Sequence, residues 1–151
     1  MTDFVALPDK RIRQTSETVR GFDKRLGMAA PQIGVFKKVF VAKIRNKFKP
    51  FVNPQIVKYG REETALLEGC FSVKGIYGHV MRPSEIDVTA QDTYGKKVEM
   101  HLKGLPAKIF QHELDHLSGK LFIDLILDQN GKLFRVEKDK EGNETLVETT
   151  I

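Results

Sequence analysis

Two histidines four residues apart on the best-marked helix of the chain constrain its fold more than any other feature. The run Gln111-His112-Glu113-Leu114-Asp115-His116 lies within residues 105–117, a segment with helix signals at both ends. Pro106 suits a first turn, where its missing N–H costs nothing, and Gly119 stands where a left-handed C-terminal cap belongs. On such a helix His112 and His116 stack on one face about one turn apart. Two imidazoles in that relation can share one metal ion. Glu113 is rotated about 100° from His112, so it can reach a water at the metal without being a ligand. Ordinary helix histidines are the alternative. The chain has only four His, however, and two of them flank a glutamate at this spacing.

Two histidines leave a shell incomplete, because catalytic sites of this kind usually carry three protein ligands and a water. Glu137, Glu141 and Glu144 lie downstream, but in strand-and-turn sequence rather than on a second helix, and fit poorly. Cys70, in Leu66-Leu67-Glu68-Gly69-Cys70-Phe71-Ser72, is the better candidate. A lone cysteine is more often a small buried hydrophobe. Gly69 beside it permits a close backbone approach, and a hairpin over residues 84–102 would return the chain toward the helix. A thiolate with two imidazoles suits a borderline-soft divalent metal. Such a metal lowers the pKa of a bound water toward about 7, and Glu113 would take that proton and hand it to a leaving amine.

The rest of the chain predicts short strands around this helix. Residues 38–44 and 51–59 read as strands, the second with Pro54 arguing for an edge or a bulge. Ile86, Val88 and Ala90 alternate with polar residues, as do Val98, Met100 and Leu102 beyond Tyr94-Gly95, which is a β-hairpin pattern. Residues 121–127 form a short apolar run before the turn at 128–131. The tail, 132–151, reads as a second hairpin around Glu141-Gly142-Asn143 or as a frayed end. The expected class is α+β, with antiparallel sheets packed around the central metal-binding helix, in a single domain spanning 1–151.

Charge and cysteine count set the setting. A single cysteine cannot form an internal disulfide. Residues 1–7 are not a signal peptide, and no apolar stretch approaches the ~18 residues of a membrane span. The cytoplasm is the expected compartment, with no membrane partner. The formal charge of +5 is mild, yet Lys37, Lys38, Lys43, Arg45, Lys47 and Lys49 sit together with no acid among them. A solvated strand and loop is the bland reading. A weak nucleic-acid or transient ribosome contact, without specific DNA recognition, is the functional one. His79 and His101 read as surface histidines.

Three motifs in order resemble the peptide deformylase family: Gly27-Met28-Ala29-Ala30-Pro31-Gln32-Ile33-Gly34, Glu68-Gly69-Cys70-Phe71-Ser72 and Gln111-His112-Glu113-Leu114-Asp115-His116. The flanks at 7–13 and 80–83 are similar too, so the resemblance runs from about residue 7 to 126. It implies removal of the formyl group from the N-terminal formyl-methionine of new polypeptides, with release of formate. It also implies Cys70, His112 and His116 as ligands of one divalent ion, usually Fe²⁺, with Zn²⁺ or Ni²⁺ able to replace it. Glu113 would be the general acid and base. The Gln32 side chain and the Phe71 backbone N–H would form the oxyanion hole, while the Phe71 side chain reads as core. Gly27 and Gly69 would let the substrate peptide lie close to the backbone. Leu105 and Ile109 are candidates for the methionine pocket, though core packing also suits them. Asp115 and Arg82 read as a supporting charge pair.

The chain departs from the family pattern before the first motif. Arg25 stands where the family usually has glycine, and Met28 where it has leucine. Residues 19–24 leave no room for the helix that members usually carry there, so that helix is lost or a loop is missing from the sequence. The competing readings are an altered deformylase-like protein that binds N-terminal peptides without turning them over, a zinc peptidase of another class, and a basic nucleic-acid-binding module.

Overall fold

The computed structural model describes residues 8–13, 15 and 34–151. Gly27, Gln32, Arg25 and the first motif up to Ile33 lie outside the described residues. Eight strands form two antiparallel four-stranded sheets. Strands β1 (Val39–Ile44), β2 (Lys47–Tyr59), β5 (Glu85–Gln91) and β6 (Lys97–Lys103) make the first, in the order β1-β2-β5-β6. Strands β3 (Glu63–Cys70), β4 (Val73–Pro83), β7 (Leu133–Lys138) and β8 (Glu144–Thr149) make the second, in the order β3-β4-β7-β8. Helices α1 (Leu105–Leu117) and α2 (Phe122–Asp128), with a 3-10 turn at Lys10–Arg13, complete the described elements.

The α+β class holds, and so does α1. Pro106 lies in its first turn, and Gly119 follows it at φ 71, where the Gly119 and Lys120 N–H groups close on the carbonyls of His116 and Asp115. The β5–β6 hairpin pairs Ile86 with Leu102, Val88 with Met100 and Ala90 with Val98, so the alternating apolar residues share the core face. The tail is a hairpin rather than a frayed end, with β7 also paired to β4 at Ile76, Tyr77 and Gly78.

The structure decides or extends three readings. Of the edge and the bulge that Pro54 argued for, the bulge holds: the ladder jumps between Val52 and Gln55, and β2 lies between β1 and β5. Asn53 absorbs the jump at φ 49 and donates its side-chain amide to Gln91 at 2.8 Å. The apolar run at 121–127 is largely the short helix α2, whose start is tied by the Asp124 carboxylate accepting the Leu121 backbone N–H at 2.8 Å. Strands β3 and β4 had no sequence counterpart.

Each sheet has its own helix. Phe40, Ala42, Ile44, Phe51, Ile86, Val88 and Leu102 of the first sheet pack on Ala107, Phe110 and Leu117 of α1. The rings of Phe40 and Phe51 meet Phe110 edge-on, with centroids 4.9 and 5.2 Å away. In the second sheet Val73, Val80 and Leu133 pack on Phe122, Ile123 and Ile126 of α2. Gly78 lets that helix come close, since a Cβ there would lie 2.4 Å from Ile126 Cδ1 and 2.9 Å from the Lys132 carbonyl oxygen. Gly78→Ala is therefore expected to destabilise the fold by about 1–3 kcal/mol. Urea unfolding would check this, and an unchanged midpoint would contradict such close packing.

Candidate metal centre

Strand β3 ends at Cys70, which packs against the core of the second sheet and reaches His116 of α1. Along β3, Glu68 and Cys70 point inward by the two-residue alternation of a strand, while Gly69 points out. On α1 the four-residue spacing brings His112 and His116 to the same side, with ring centroids 5.1 Å apart. The Cys70 Sγ and one nitrogen from each imidazole all lie within 4.8 Å of one another. Cys70 Sγ is 3.3 Å from His116 Nε2. Donors sharing one tetrahedral cation at about 2.0–2.3 Å sit roughly 3.3–3.6 Å apart, so this contact already has the span that a shared ion requires.

The surroundings suit an ion as well. His112 Nδ1 is 2.8 Å from Glu68 Oε2, so a proton on Nδ1 leaves Nε2 with its lone pair toward the sulfur. Glu68 is buried and is held from its other side by Arg82 Nε at 2.6 Å and Nη2 at 3.1 Å. Arg82 in turn reaches Asp115 Oδ2 on α1 at 2.7 Å. A chain of carboxylate, guanidinium and carboxylate thus runs from β3 through β4 to the metal helix. The Arg82–Asp115 pair was expected; Glu68 was not singled out. The sequence did hold a signal: an acid two residues before the cysteine on a strand shares its face.

Charge follows geometry. Burial pushes the Cys70 thiol up, but contacts with His112 and His116 outweigh it and bring the thiol down to about 5. Burial lowers the His112 imidazole, yet Cys70, Glu68 and Glu113 lift it to about 10. The shift favours the Cys70 thiolate, the form that coordinates a metal, and coordination through His112 needs its neutral imidazole. Burial holds the Glu68 carboxyl back from ionising, but hydrogen bonds from His112 and Arg82 win and set it below the usual range. Glu113 goes the other way: burial raises its carboxyl above the usual range, against the pull of His112 and His116. A soft donor, two borderline donors and a compatible spacing fit a divalent transition metal.

A cavity of about 320 Å³ opens beside these groups, lined among others by Leu66, Gly69, Cys70, Ile109, His112 and Glu113. Ile109 sits between this cavity and the core around α1. Leu105 does neither; it is 57% exposed at the start of α1 and outside the lining. Core packing likewise fails for the Phe71 side chain, which is 76% exposed at the cavity mouth, leaving its main chain beside Cys70. Lys108, not anticipated, also borders the cavity, its ammonium donating to the carbonyls of Thr64 and Arg82 and tying α1 to β3 and β4. His79 and His101 are exposed, as expected. No described helix is long and apolar enough to cross a membrane.

The family model of polypeptide deformylases matches residues 1–132. A peptide deformylase of Treponema pallidum (strain Nichols) is 41% identical over 101 residues, covering 67% of this chain and 62% of that protein. The match thus spans a little under two thirds of that relative. A peptide deformylase of Thermomicrobium roseum is 34% identical over 158 residues, covering 96% of this chain and 89% of the relative. The crystal structure of the peptide deformylase from Thermotoga maritima superposes with a TM-score of 0.79 at 32% identity, covering 83% of this chain and 97% of that one.

Proposed function

The chain belongs to the peptide deformylase family, and on that premise we propose that it hydrolyses the N-formyl group of formyl-methionyl nascent polypeptides, releasing formate in the cytoplasm. The observation that carries this reading is the meeting of one sulfur and two imidazoles within 4.8 Å, beside a cavity that also holds Glu113. Cys70, His112 and His116 would hold one divalent ion, Fe²⁺ by family resemblance with Zn²⁺ or Ni²⁺ as substitutes, and residues 1–151 would act as one domain. When bound, that ion supplies Lewis acidity and makes water a better nucleophile near neutral pH.

The chain's own residues do the rest. Glu113 takes a proton from water as it attacks the formyl carbon, then gives it to the departing amine nitrogen. Burial, which raises the carboxyl, suits it to hold that proton between the two transfers. The negative charge that forms on the formyl oxygen is stabilised by hydrogen bonds donated from the Phe71 backbone N–H and the Gln32 side-chain amide. Such donors matter because losing one costs about 10²–10³ in rate in other hydrolases. Gly69, exposed on β3, would let the peptide backbone lie close, and Ile109 offers an apolar wall to the methionine side chain. Gly27 would likewise let the peptide lie close to the backbone, and Leu105 would act only at the outer margin.

Formate release from a formyl-Met peptide tests the reading, with the protein loaded with Fe²⁺ under anaerobic conditions. Formate is expected from the formylated peptide alone, and a chelator should abolish it. Full metal content without formate would overturn the proposal. It would favour the second reading, an altered member that binds N-terminal peptides, which Arg25 at a position usually held by glycine supports.

A further inference from the structure

The net positive charge of the chain comes from one stretch. Residues 24–61 hold ten Lys and Arg and no acid, against fifteen Lys and Arg and twenty Asp and Glu in the remainder. The remainder is therefore net negative, and a polyanion approaching the protein is steered toward that stretch. Much of it forms the β1–β2 hairpin, which turns tightly at Arg45 and Asn46, with φ of 49 and 64. Phe40 and Phe51 anchor its base on Phe110 of α1, and the ladder then runs outward through Lys43↔Phe48 to Ile44↔Lys47. Lys43, Arg45, Lys47, Phe48 and Lys49 are all exposed, and Phe48 is 75% so. Among the described residues none of these four cations enters an ion pair.

We propose that the tip of the β1–β2 hairpin binds single-stranded RNA, with Lys43, Arg45, Lys47 and Lys49 meeting phosphates and Phe48 stacking on a base. Ladder partners share a face, so Lys43 and Phe48 project on one side, while Lys47 and Lys49 project on the side of Ile44 and Ala42. A flat anionic bilayer can meet only one side of such a ribbon, and a single phenylalanine gives it little to insert. A flexible strand of phosphates can follow both sides. An exposed aromatic ring among lysines also matches how sequence-tolerant RNA surfaces work, by stacking within a positive groove. The inference stands apart from the hydrolase reading, because none of these residues lines the cavity beside Cys70, His112 and Glu113.

The test is fluorescence anisotropy with a labelled oligouridylate of about 16 nucleotides and the full chain. Four phosphate contacts predict that affinity falls about 50-fold between 50 and 200 mM salt, given a slope near −0.7 per contact for single strands. Replacing Lys43, Arg45, Lys47 and Lys49 together with Gln should remove binding and flatten the salt dependence. Phe48→Ser, which keeps every charge, should weaken binding about fivefold or more while leaving the salt slope in place, as loss of one stack predicts. Both variants should release formate from a free formyl-Met peptide as the parent does. Undiminished RNA binding by the Gln variant would overturn the proposal. So would binding to phosphatidylserine vesicles in preference to the oligouridylate.

Discussion

Glu113→Gln is expected to lower kcat/KM by about 10²–10⁴-fold, the range of general acid–base catalysis, while metal content stays at the parent level. Gln keeps the size and hydrogen-bonding capacity of the side chain and removes only its ability to carry a proton. The geometry separates the two outcomes. Glu113 borders the cavity with Cys70 and His112, yet among the described residues the groups close enough to share a metal ion are Cys70, His112 and His116 without it. Element analysis beside formate release would check the pair. A variant that loses its metal would make Glu113 a ligand. A variant with parental turnover would remove it from the proton path.

Arg82→Leu is expected to destabilise the protein by about 3–5 kcal/mol, because it leaves buried carboxylate charge uncompensated. The Arg82 side chain is 3% exposed and pairs with Glu68 at 2.6 Å and Asp115 at 2.7 Å. The isolated pair says little about stability, since well-packed apolar replacements of both partners can be neutral. Breaking one partner is different: Glu68 would stay buried with His112 as its remaining ion-pair partner. The pH dependence follows from the direction of the Glu68 shift. Its carboxyl is depressed in the folded chain despite burial, through hydrogen bonds from His112 and Arg82. The folded state therefore gains stability from it above the unfolded carboxyl pKa of about 4.3. That gain is lost as pH falls through the lower folded value. Urea midpoints measured from neutral pH down to acid should converge for parent and variant at the acid end. A constant gap would contradict the ion-pair account.

The grouping of Cys70 with His112 and His116 is legible in the sequence and the elements that support it are not, for physical reasons. α1 announces itself because Pro106 and Gly119 have positional meaning at helix ends, and because His112, Glu113 and His116 combine rare residues with helical spacing. The β5–β6 hairpin is legible because its core positions, Ile86, Val88, Ala90 and Leu102, are all apolar. β3 and β4 are not, because their inward positions include Glu68 and Arg82, which break the apolar alternation and become acceptable only once paired. α2 is too short for periodicity to separate a helix from a strand, and its decisive feature is the Asp124 carboxylate on the Leu121 N–H. Phe71 misled because an aromatic beside a half-buried cysteine looks like core, yet it lies in the turn between β3 and β4 and is 76% exposed there.

X-ray absorption at the edge of the bound metal tests the central claim most directly, with the parent and Cys70→Ser compared. The parent is expected to show one sulfur at about 2.3 Å together with imidazole nitrogens at about 2.0–2.1 Å, and Cys70→Ser to lose the sulfur and bind metal far more weakly. A nitrogen- and oxygen-only shell in the parent, or an unchanged spectrum in the variant, would contradict a site built from Cys70, His112 and His116.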